Sequence, residues 1–526
     1  MSTAEATITS APARYINPWI IAVAVMLGTF MEVLDTTIVN VSLPHIAGNL
    51  SSTVDESTWV LTSYLVANAI ILPLTGWLSN HFGRKRVLMT SIFGFTAASV
   101  ACGIAPNLPA LLFFRVVQGA AGGGLQPLSQ AIMLEAFPPE KRGKAMAMWG
   151  LGIVVAPMLG PVLGGWLTDS YSWRWLFYIN LPVGIAAMAM CYLFVFDPPY
   201  IQRGKGGVDY WGIGLLAVGM GALQVMLDKG QEEDWFSSRF IQYLTVAAVV
   251  GLGFFIVREL LQKHPLVNLR VFRVRTYSTG VFLMTVLGFV LYGSMVLLPI
   301  FLQTLLGYSA LDAGVAMLPR GLGSFIAMPF VGILMSKVEP RKLLTVGLSV
   351  AAFSFWDLAR INLNAGYWDI FWPQFIQGLS MGFIFVPLTT ATHDPIPKQE
   401  MGNATSIFNV MRNIGGSVGI ATVTTLYARR TQSNINVLGA NVNPFDQSTA
   451  SMIEGVKQMF MSKGMDAVTA TKQAYASVFG MVQQQAAMVS FVSAFRFLAI
   501  LFVCCVPLIY LMKRPKHHGG GGAMMH

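Results

Sequence analysis

The stretch Gly76-Trp-Leu-Ser-Asn-His-Phe-Gly-Arg-Lys-Arg-Val-Leu88 separates two long apolar runs of this 526-residue chain. A related stretch, Gly332-Ile-Leu-Met-Ser-Lys-Val-Glu-Pro-Arg-Lys-Leu-Leu344, begins 256 residues later. A second pair follows in the same order, because Arg115-Val-Val-Gln118-Gly119 is matched by Gln374-Phe-Ile-Gln377-Gly378, 259 residues on. Two matches in register predict two similar halves, a form of internal symmetry that is common in membrane transport folds.

The composition points to the same class. Charged residues make up 11% of the chain, whereas a typical soluble domain has about 25%. Hydrophobic residues make up 54%, and the mean hydropathy is +0.60. These values exclude a disordered chain, a coiled coil and a secreted disulfide scaffold. The four cysteines lie within apolar runs without a CxxC pair, so we expect no metal site and no cofactor.

Fourteen runs are long and apolar enough to be predicted as membrane-spanning helices. They cover residues 19–41, 59–79, 87–106, 109–132, 145–167, 175–196, 211–228, 240–261, 278–301, 314–335, 343–362, 370–391, 404–426 and 488–511. The runs are continuous rather than alternating, which favours helices over a β-barrel. The prediction is therefore an all-α membrane protein.

The distribution of basic residues predicts the orientation of these spans. Of the 34 Lys and Arg residues, 21 fall on the side of the N-terminus, 10 on the opposite side and three within spans. The basic side is cytoplasmic by the positive-inside rule, so both termini are predicted to lie inside. Because the net charge of +10 is spread over many loops, it indicates orientation and not a nucleic-acid partner.

Several stretches resemble the major facilitator superfamily, and within it the fourteen-helix drug:proton antiporter-2 branch with its EmrB-type multidrug exporters. Gly76 to Leu88 is similar to the superfamily's loop motif, although Asn80 stands where that motif usually has Asp. The remaining stretches that carry the resemblance are Leu34–Pro44, Leu111–Gly123, Gly152–Gly165, Trp173–Pro182, Leu227–Gly230 and Asn409–Gly419. Together they cover nearly the whole chain.

The resemblance implies a fold and a division of the chain. It implies the major facilitator fold, with two six-helix bundles and two inserted helices. The expected units are an N-terminal bundle at 1–200, an inserted pair at 201–265, and a C-terminal bundle at 266–526 with a long periplasmic loop at 427–487. It further implies a multi-pass protein of the bacterial inner membrane.

Charged side chains within spans are the candidate functional residues, because a charge at mid-membrane costs at least about 2.5–3.5 kcal/mol. Glu32 and Asp35 lie three residues apart on the first span, and burial favours the neutral form of a carboxyl group. We predict that Asp35, with Glu32, exchanges protons. The resemblance places Arg115 of the fourth span near Asp35, either as a coupling partner or in a static ion pair.

Three further groups of residues are expected to contribute. The resemblance implies a substrate cavity, for which we select Gln118, Gln374, Gln377 and Tyr292. It implies gating or interface roles for Gly76, Gly83, Arg84, Lys85, Gly152, Gly160, Pro161 and Gly164. Secondary charged positions are Asp357, Arg360 and Arg412; the first two are predicted to neutralise each other, with a second proton site as the alternative.

Two further expectations concern Glu135 and the segment 427–487. Glu135, at the end of the fourth span, is expected to be solvated. In the segment 427–487, residues 465–486 follow an amphipathic helical pattern. That helix either packs on the protein's own outer face or docks a periplasmic membrane-fusion adaptor, which the resemblance links to an outer-membrane channel.

The resulting prediction is a proton-coupled antiporter that exports amphipathic apolar or cationic drugs across the lipid membrane by alternating access. An exporter of one endogenous metabolite, lipid or chelator is an alternative. A non-transporting receptor or scaffold is the alternative from another class. An enzyme is not expected, because Gly122-Gly123-Gly124 lacks the Lys-Ser/Thr ending of a phosphate-binding loop.

Overall fold

The computed structural model describes residues 17–198, 208–442 and 445–512, and these residues contain helices and no β-strand. We number their long helices in chain order. They are α1 Pro18–Ile38, α2 Val54–Phe82, α3 Arg84–Gly103, α4 Leu108–Ala136, α5 Arg142–Ser170, α6 Trp175–Phe194, α7 Tyr210–Lys229, α8 Arg239–Leu261, α9 Arg275–Ile300, α10 Ala310–Leu334, α11 Pro340–Leu358, α12 Tyr367–His393, α13 Met401–Ala440 and α14 Ala467–Ile509. We call α1–α6 the N-terminal half and α9–α14 the C-terminal half.

Twelve helices of the described chain are long and apolar enough to cross a membrane. The two that do not qualify, α11 and α13, coincide with the remaining two predicted spans. Helix α11 carries Arg341, Lys342 and Asp357, and α13 is rich in Gly, Ser, Thr and Asn. The protein is thus a multi-pass membrane protein, whereas the count of fourteen crossings is not confirmed.

The two halves repeat the same close helix packing. A Cβ atom at Gly119 of α4 would lie 2.3 Å from the carbonyl oxygen of Tyr64 on α2. In the C-terminal half, a Cβ atom at Gly378 of α12 would lie 1.9 Å from the carbonyl oxygen of Arg320 on α10. Glycine is required at both contacts, since any side chain would separate the helices. The packing therefore recurs at the offset seen in the sequence.

Helices α7 and α8 pack against each other and contact both halves. Asp228 of α7 accepts a hydrogen bond from Thr62 of α2. On the other side, Gln224 of α7 accepts from Ser417 of α13 at 3.1 Å, and Trp235, between α7 and α8, donates to Thr425 of α13 at 2.9 Å. The pair consequently lies beside the seam between the halves.

The halves meet closely at the end of the molecule that carries the α2–α3 turn, the predicted cytoplasmic side. A Cβ atom at Gly76 of α2 would lie 2.7 Å from the Cα atom of Asn403 on α13. Gly143, at the start of α5, lies equally close to Met335 beyond α10. Deeper in the seam, Trp149 stacks on Phe385 with ring centroids 5.8 Å apart.

The glycine stripe of α5 faces α1 within its own half. A Cβ atom would lie 3.3 Å from Met26 at Gly152, 2.3 Å from Thr37 at Gly160, and 2.7 Å from the carbonyl oxygen of Ile38 at Gly164. Helix α5 continues through Pro157 and Pro161. The helix does reach the opposite half, but through the face bearing Gly143 and Trp149 rather than through this stripe.

The segment 427–487, predicted as a loop, is largely helical. Helix α13 extends to Ala440 and α14 begins at Ala467, and a shorter helix, Gln447–Ser462, lies between them. With 40 and 43 residues, α13 and α14 are each about 60 Å long at 1.5 Å per residue. Both exceed the roughly 30 Å hydrocarbon core, so they form a helical protrusion on the predicted outer side.

Candidate functional site: a buried polar network between the halves

Two carboxylates of α1 point into the interior of the N-terminal half. Asp35 is fully buried and Glu32 is 3% exposed. They lie three residues apart, which places them on one face of the helix. This face meets polar side chains of α2, α4 and α6. The two carboxylates enter different clusters of polar side chains.

Asp35 forms an ion pair with Arg115 of α4, at 2.6 Å between Oδ2 and Nη1. Its other oxygen, Oδ1, accepts hydrogen bonds from Gln118 of α4 and Asn180 of α6, both at 2.9 Å. Arg115 also donates to Oε1 of Gln118 at 2.8 Å. All four side chains are buried. Their bonds stabilise the ionised carboxylate, because a buried charge is costly unless it is paired and hydrogen-bonded.

Arg115 has further partners on α2. Its Nε atom donates to the carbonyl oxygen of Val60 at 3.0 Å, and its guanidinium lies 4.2 Å from the ring centroid of Tyr64. The guanidinium therefore contacts a carboxylate, an amide, a backbone carbonyl and an aromatic face. If Asp35 is neutralised, Arg115 keeps several of these contacts.

Glu32 is bound by amides instead of a cation. Its Oε1 accepts from Asn68 of α2 at 3.0 Å, and its Oε2 accepts from Gln126 of α4 at 2.6 Å. The side-chain oxygen of Gln126, Oε1, in turn accepts a hydrogen bond from Arg412 of α13. Gln126 thus connects a carboxylate of the N-terminal half with a guanidinium of the C-terminal half.

A second hydrogen bond crosses the seam one helical turn away. Asn409 of α13 donates to Oε1 of Gln130 on α4 at 2.6 Å. Arg412 is 1% exposed, and its Nε and Nη1 atoms have no hydrogen-bond partner in the described residues. The guanidinium of Arg412 is therefore held to the other half through Gln126. We call Glu32, Gln126 and Arg412 the cross-seam bridge.

Comparison with known proteins places this geometry in a family. Residues 25–420 match the Major Facilitator Superfamily. The chain belongs to this superfamily. It is 38% identical to the multidrug export protein EmrB of Escherichia coli K12, over 96% of this chain and 98% of that protein. It is also 38% identical to the fatty acid resistance protein FarB of Neisseria gonorrhoeae, over 94% and 96%.

The solved structures agree on the fold. The human organic anion transporter MFSD10 superimposes with a TM-score of 0.61, covering 94% of this chain and 100% of that chain at 12% sequence identity. At such low identity the likeness concerns the fold alone. The expected major facilitator fold is therefore confirmed.

The predicted cavity residues of this superfamily member lie in different surroundings. Gln118 belongs to the Asp35 cluster. Gln374 and Gln377 of α12 are 1% and 5% exposed, and their Oε1 atoms have no partner in the described residues. Tyr292 of α9 is half-buried, with its ring against Gly416 of α13. Their role in binding substrate stays a prediction.

The pair Asp357 and Arg360 lies at the end of α11. Helix α11 ends at Leu358, Asp357 is half-buried and Arg360 is exposed. Among the described residues no ion pair joins the two side chains; the contact between them is a backbone hydrogen bond of 2.9 Å from Arg360 to Asp357. The local neutralisation predicted for this pair is thus absent from the structure.

The basic residues of the superfamily loop motif have specific partners. Arg84 pairs with Glu135 at the end of α4, and both side chains are largely buried. The expectation that Glu135 is solvated was therefore wrong, because folding brings the α3 N-terminus against α4. Lys85 donates to the carbonyl oxygen of Tyr192 near the end of α6 at 2.6 Å. Gly83 has a φ of 95°, a conformation that favours glycine.

Sequence reasoning missed several members of the network, which are Asn68, Gln126, Gln130 and Asn180. All four are polar side chains within predicted spans, and that burial is the signal by which they could have been found. Asn and Gln are less conspicuous than charges, and their partners lie far away in sequence. Arg320, which does not belong to this network, was also missed: the charge count above assigns it to the outer side, although it lies inside the tenth predicted span.

Proposed function

We propose that the chain is a proton-coupled multidrug efflux transporter of the bacterial inner membrane. It exports amphipathic apolar or cationic compounds by alternating access. The observation that carries this proposal is the buried Asp35–Arg115 ion pair with its two amide donors. The likeness to EmrB over nearly the full length supports the multidrug assignment. The superfamily and the named relatives consist of transporters, which points away from an enzyme.

Proton coupling follows from the change in charge at the two carboxylates. Protonation of Asp35 converts an ion pair into a neutral acid and weakens its hold on Arg115, because charge-assisted hydrogen bonds are the stronger ones. Protonation of Glu32 likewise weakens its bond to Gln126, and with it the cross-seam bridge. A proton that enters from outside thus favours separation of the halves at the predicted cytoplasmic side.

Asp35→Asn tests this proposal. The amide has nearly the same shape but cannot exchange a proton, so we expect efflux driven by a proton gradient to fall at least tenfold in inverted membrane vesicles. Asp55→Asn is the matched control, because Asp55 is an exposed acid at the start of α2. Full proton-driven efflux by Asp35→Asn would show that the coupling residue is elsewhere.

A second candidate function is export of one endogenous lipid or fatty acid. The likeness to the fatty acid resistance protein FarB favours it. A broad panel of toxic compounds, tested in a strain that lacks other exporters, separates the two candidates. Resistance to several unrelated compounds supports multidrug export, whereas resistance confined to fatty acids supports the second candidate.

The helical protrusion is the proposed docking surface for a periplasmic membrane-fusion adaptor linked to an outer-membrane channel. Within α14, Ala470, Ala474 and Val478 are buried, and the last two pack against Ile453 of the short helix Gln447–Ser462. The neighbouring stripe of Val468, Tyr475 and Phe479 is 67%, 49% and 54% exposed. Val468, Tyr475 and Phe479 therefore face outward and remain available to a partner, whereas Ala486, at the end of the predicted pattern, is buried.

Substitution of this exposed stripe tests docking. Val468, Tyr475 and Phe479, each changed to Ser, should abolish resistance in cells while vesicles retain proton-driven efflux. The triple change leaves the buried face of α14 intact, so the protein should still insert and fold. If cellular resistance survives, the stripe does not dock an adaptor.

A further inference from the structure

Arg320 of α10 is a buried cation without a counter-charge. It is 7% exposed and lies within the apolar span Asp312–Leu334. Among the described residues its guanidinium forms no ion pair, and its one hydrogen bond is a long contact of 3.4 Å from Nη1 to Oγ of Ser294 on α9. By contrast, Arg84 and Arg115 each pair with a carboxylate.

The internal repeat relates the position of this charge to the ion pair of the N-terminal half. Gly119 packs on the backbone of Tyr64, and Gly378 packs on the backbone of Arg320, so Arg320 occupies the position equivalent to Tyr64. By the same offset, Gln374 is equivalent to Arg115. In the C-terminal half the arginine thus lies on the neighbouring helix. No described carboxylate takes the place of Asp35 there.

An unpaired cation inside a membrane span is expensive, at about 2.5–3.5 kcal/mol at the helix centre on insertion scales. Two further polar groups lie on the facing helix within a turn of Gly378. These are Gln374 and Gln377, whose buried carbonyl oxygens have no partner in the described residues. The amides can rotate to present their NH₂ groups. These two helices of the C-terminal half, in backbone contact at Gly378, therefore offer one cation and two unused amide oxygens.

Arg320 also lies close to the seam between the halves. Its neighbour Gly321 lies against Met158 of α5, which belongs to the opposite half. Met158 is half-buried, and methionine adapts to apolar groups of varied shape. A ligand at Arg320 would consequently contact both halves.

We propose that Arg320 binds the anionic head group of amphipathic substrates, such as a carboxylate, sulfonate or phosphate, with Gln374 and Gln377 as additional hydrogen-bond partners. The planar guanidinium suits two-point contact with such groups. This inference rests on the proposed export function: it adds anions to the apolar and cationic compounds of the first candidate and gives the carboxylates of the second candidate a binding residue. The apolar tail of the ligand lies toward Met158.

Two probes with equal tails and permanent, opposite charges test the site: decanesulfonate and decyltrimethylammonium. Their binding to the purified, full-length protein in phosphatidylcholine nanodiscs is measured by calorimetry. We expect Arg320→Met to lower the affinity for decanesulfonate at least tenfold relative to that for decyltrimethylammonium. Arg270→Met, which removes an exposed arginine just before α9, should leave this ratio unchanged. An equal loss for both probes would overturn the proposal.

Ser294→Asp gives an independent test that keeps Arg320 in place. The new carboxylate would pair with the guanidinium and exclude decanesulfonate, whereas Ser294→Asn, of the same size but neutral, would not. If the two variants bind decanesulfonate equally well, the assignment is wrong. Phosphatidylglycerol in the nanodiscs tests for a lipid site. If it displaces decanesulfonate from Arg320 and from no other site of the wild type, Arg320 binds a lipid head group and the substrate role is overturned.

The outcome also separates this inference from the proposed function. A wild-type protein that exports several drugs but does not bind decanesulfonate refutes the role of Arg320 and leaves the export function standing. A wild-type protein that exports nothing refutes both.

Discussion

At the scale of single residues, the proposed coupling rests on the buried ion pair of Asp35 and Arg115. Moving two charges out of water costs several kcal/mol each, and the mutual attraction repays this only with good geometry and added hydrogen bonds. Gln118, Asn180 and the carbonyl oxygen of Val60 supply those bonds. Such a pair contributes little to net stability, so a function in coupling is the better reason for its presence.

Removal of one partner of this pair should cost far more than removal of both. Arg115→Met leaves the Asp35 carboxylate buried without its cation, and we expect a loss of about 3–5 kcal/mol in stability. The double variant with Asp35→Asn should recover most of that loss yet remain inactive in efflux. Thermal melting of the purified protein measures the loss of stability and its recovery, and transport into inverted vesicles measures the activity. If the single and double variants melt alike, the two residues are not energetically coupled.

The sequence alone pointed to four charged members of the site and to Gln118, but not to the amides of Asn68, Gln126 and Asn180. Glu32, Asp35, Arg115 and Arg412 were predicted because a charge in an apolar run needs a reason. The distance between Gln126 and Arg412 depends on how α4 packs against α13. No local pattern encodes that contact, and the relation of the two carboxylates to separate clusters could therefore not be predicted.

At the scale of helices, the α1–α5 contact depends on the glycines of α5 that face α1. Gly164→Ala would place a Cβ atom 2.7 Å from the carbonyl oxygen of Ile38, so the helices must separate. Gly165→Ala is a matched control on the next residue, where nothing lies within 4 Å. We expect Gly164→Ala to lower the melting temperature and Gly165→Ala to leave it unchanged or raise it slightly. Equal effects would contradict the packing.

The start of α7 is held by an acid that lies outside the span. Asp209 caps the helix by accepting from the backbone N–H of Gly212 at 3.0 Å, and Arg258 of α8 donates to it at 2.8 Å. The hydrogen bond from Arg258 holds the pKa of Asp209 below its ordinary value of 3.8. The folded state therefore gains stability from this acid above its unfolded pKa, and loses it as pH falls through the lower folded value.

Asp209→Asn isolates this charge, since Asn caps helices about as well as Asp. The wild type should melt above the variant at pH 6, and the difference should shrink as pH falls below 3.8 towards the lower pKa of the folded state. Melting curves of the detergent-solubilised proteins across this range measure the effect. A difference that stays constant as pH falls below 3.8 would show that the ion pair is not its source.

Helix types and positions were largely predictable, and helix ends were not. The predicted span 87–106 corresponds to α3, Arg84–Gly103, but the predicted end at 426 misses α13, which continues to Ala440. The length of an apolar run reflects the thickness of the membrane, whereas the helix itself can continue beyond the run. Polar residues such as Gln432 and Asn434 carry α13 beyond it, stabilised by contact with α14, where Asn434 donates to Ser490 at 3.0 Å.

At the scale of the whole molecule, the conformational step is the opening of the seam on the side where the halves now touch. Gly76, Gly143 and Trp149 contact the C-terminal half near the α2–α3 turn, and the cross-seam bridge lies deeper along the same interface. Alternating access requires these contacts to break, because the halves rock about a central site. A covalent bond across them should therefore stop transport without affecting the fold.

Gly143→Cys combined with Met335→Cys provides such a bond. A Cβ atom at Gly143 would lie 2.8 Å from that of Met335, so a small separation gives disulfide geometry. We expect oxidation to reduce proton-driven efflux at least tenfold, and reductant to restore it. The control is Gly94→Cys with Ala121→Cys, whose Cβ atoms would lie 3.1 Å apart between α3 and α4 of one half. Oxidation of this control should leave more than half of the efflux, because rocking moves each half as a unit; efflux that survives the first cross-link would mean that the halves need not separate here.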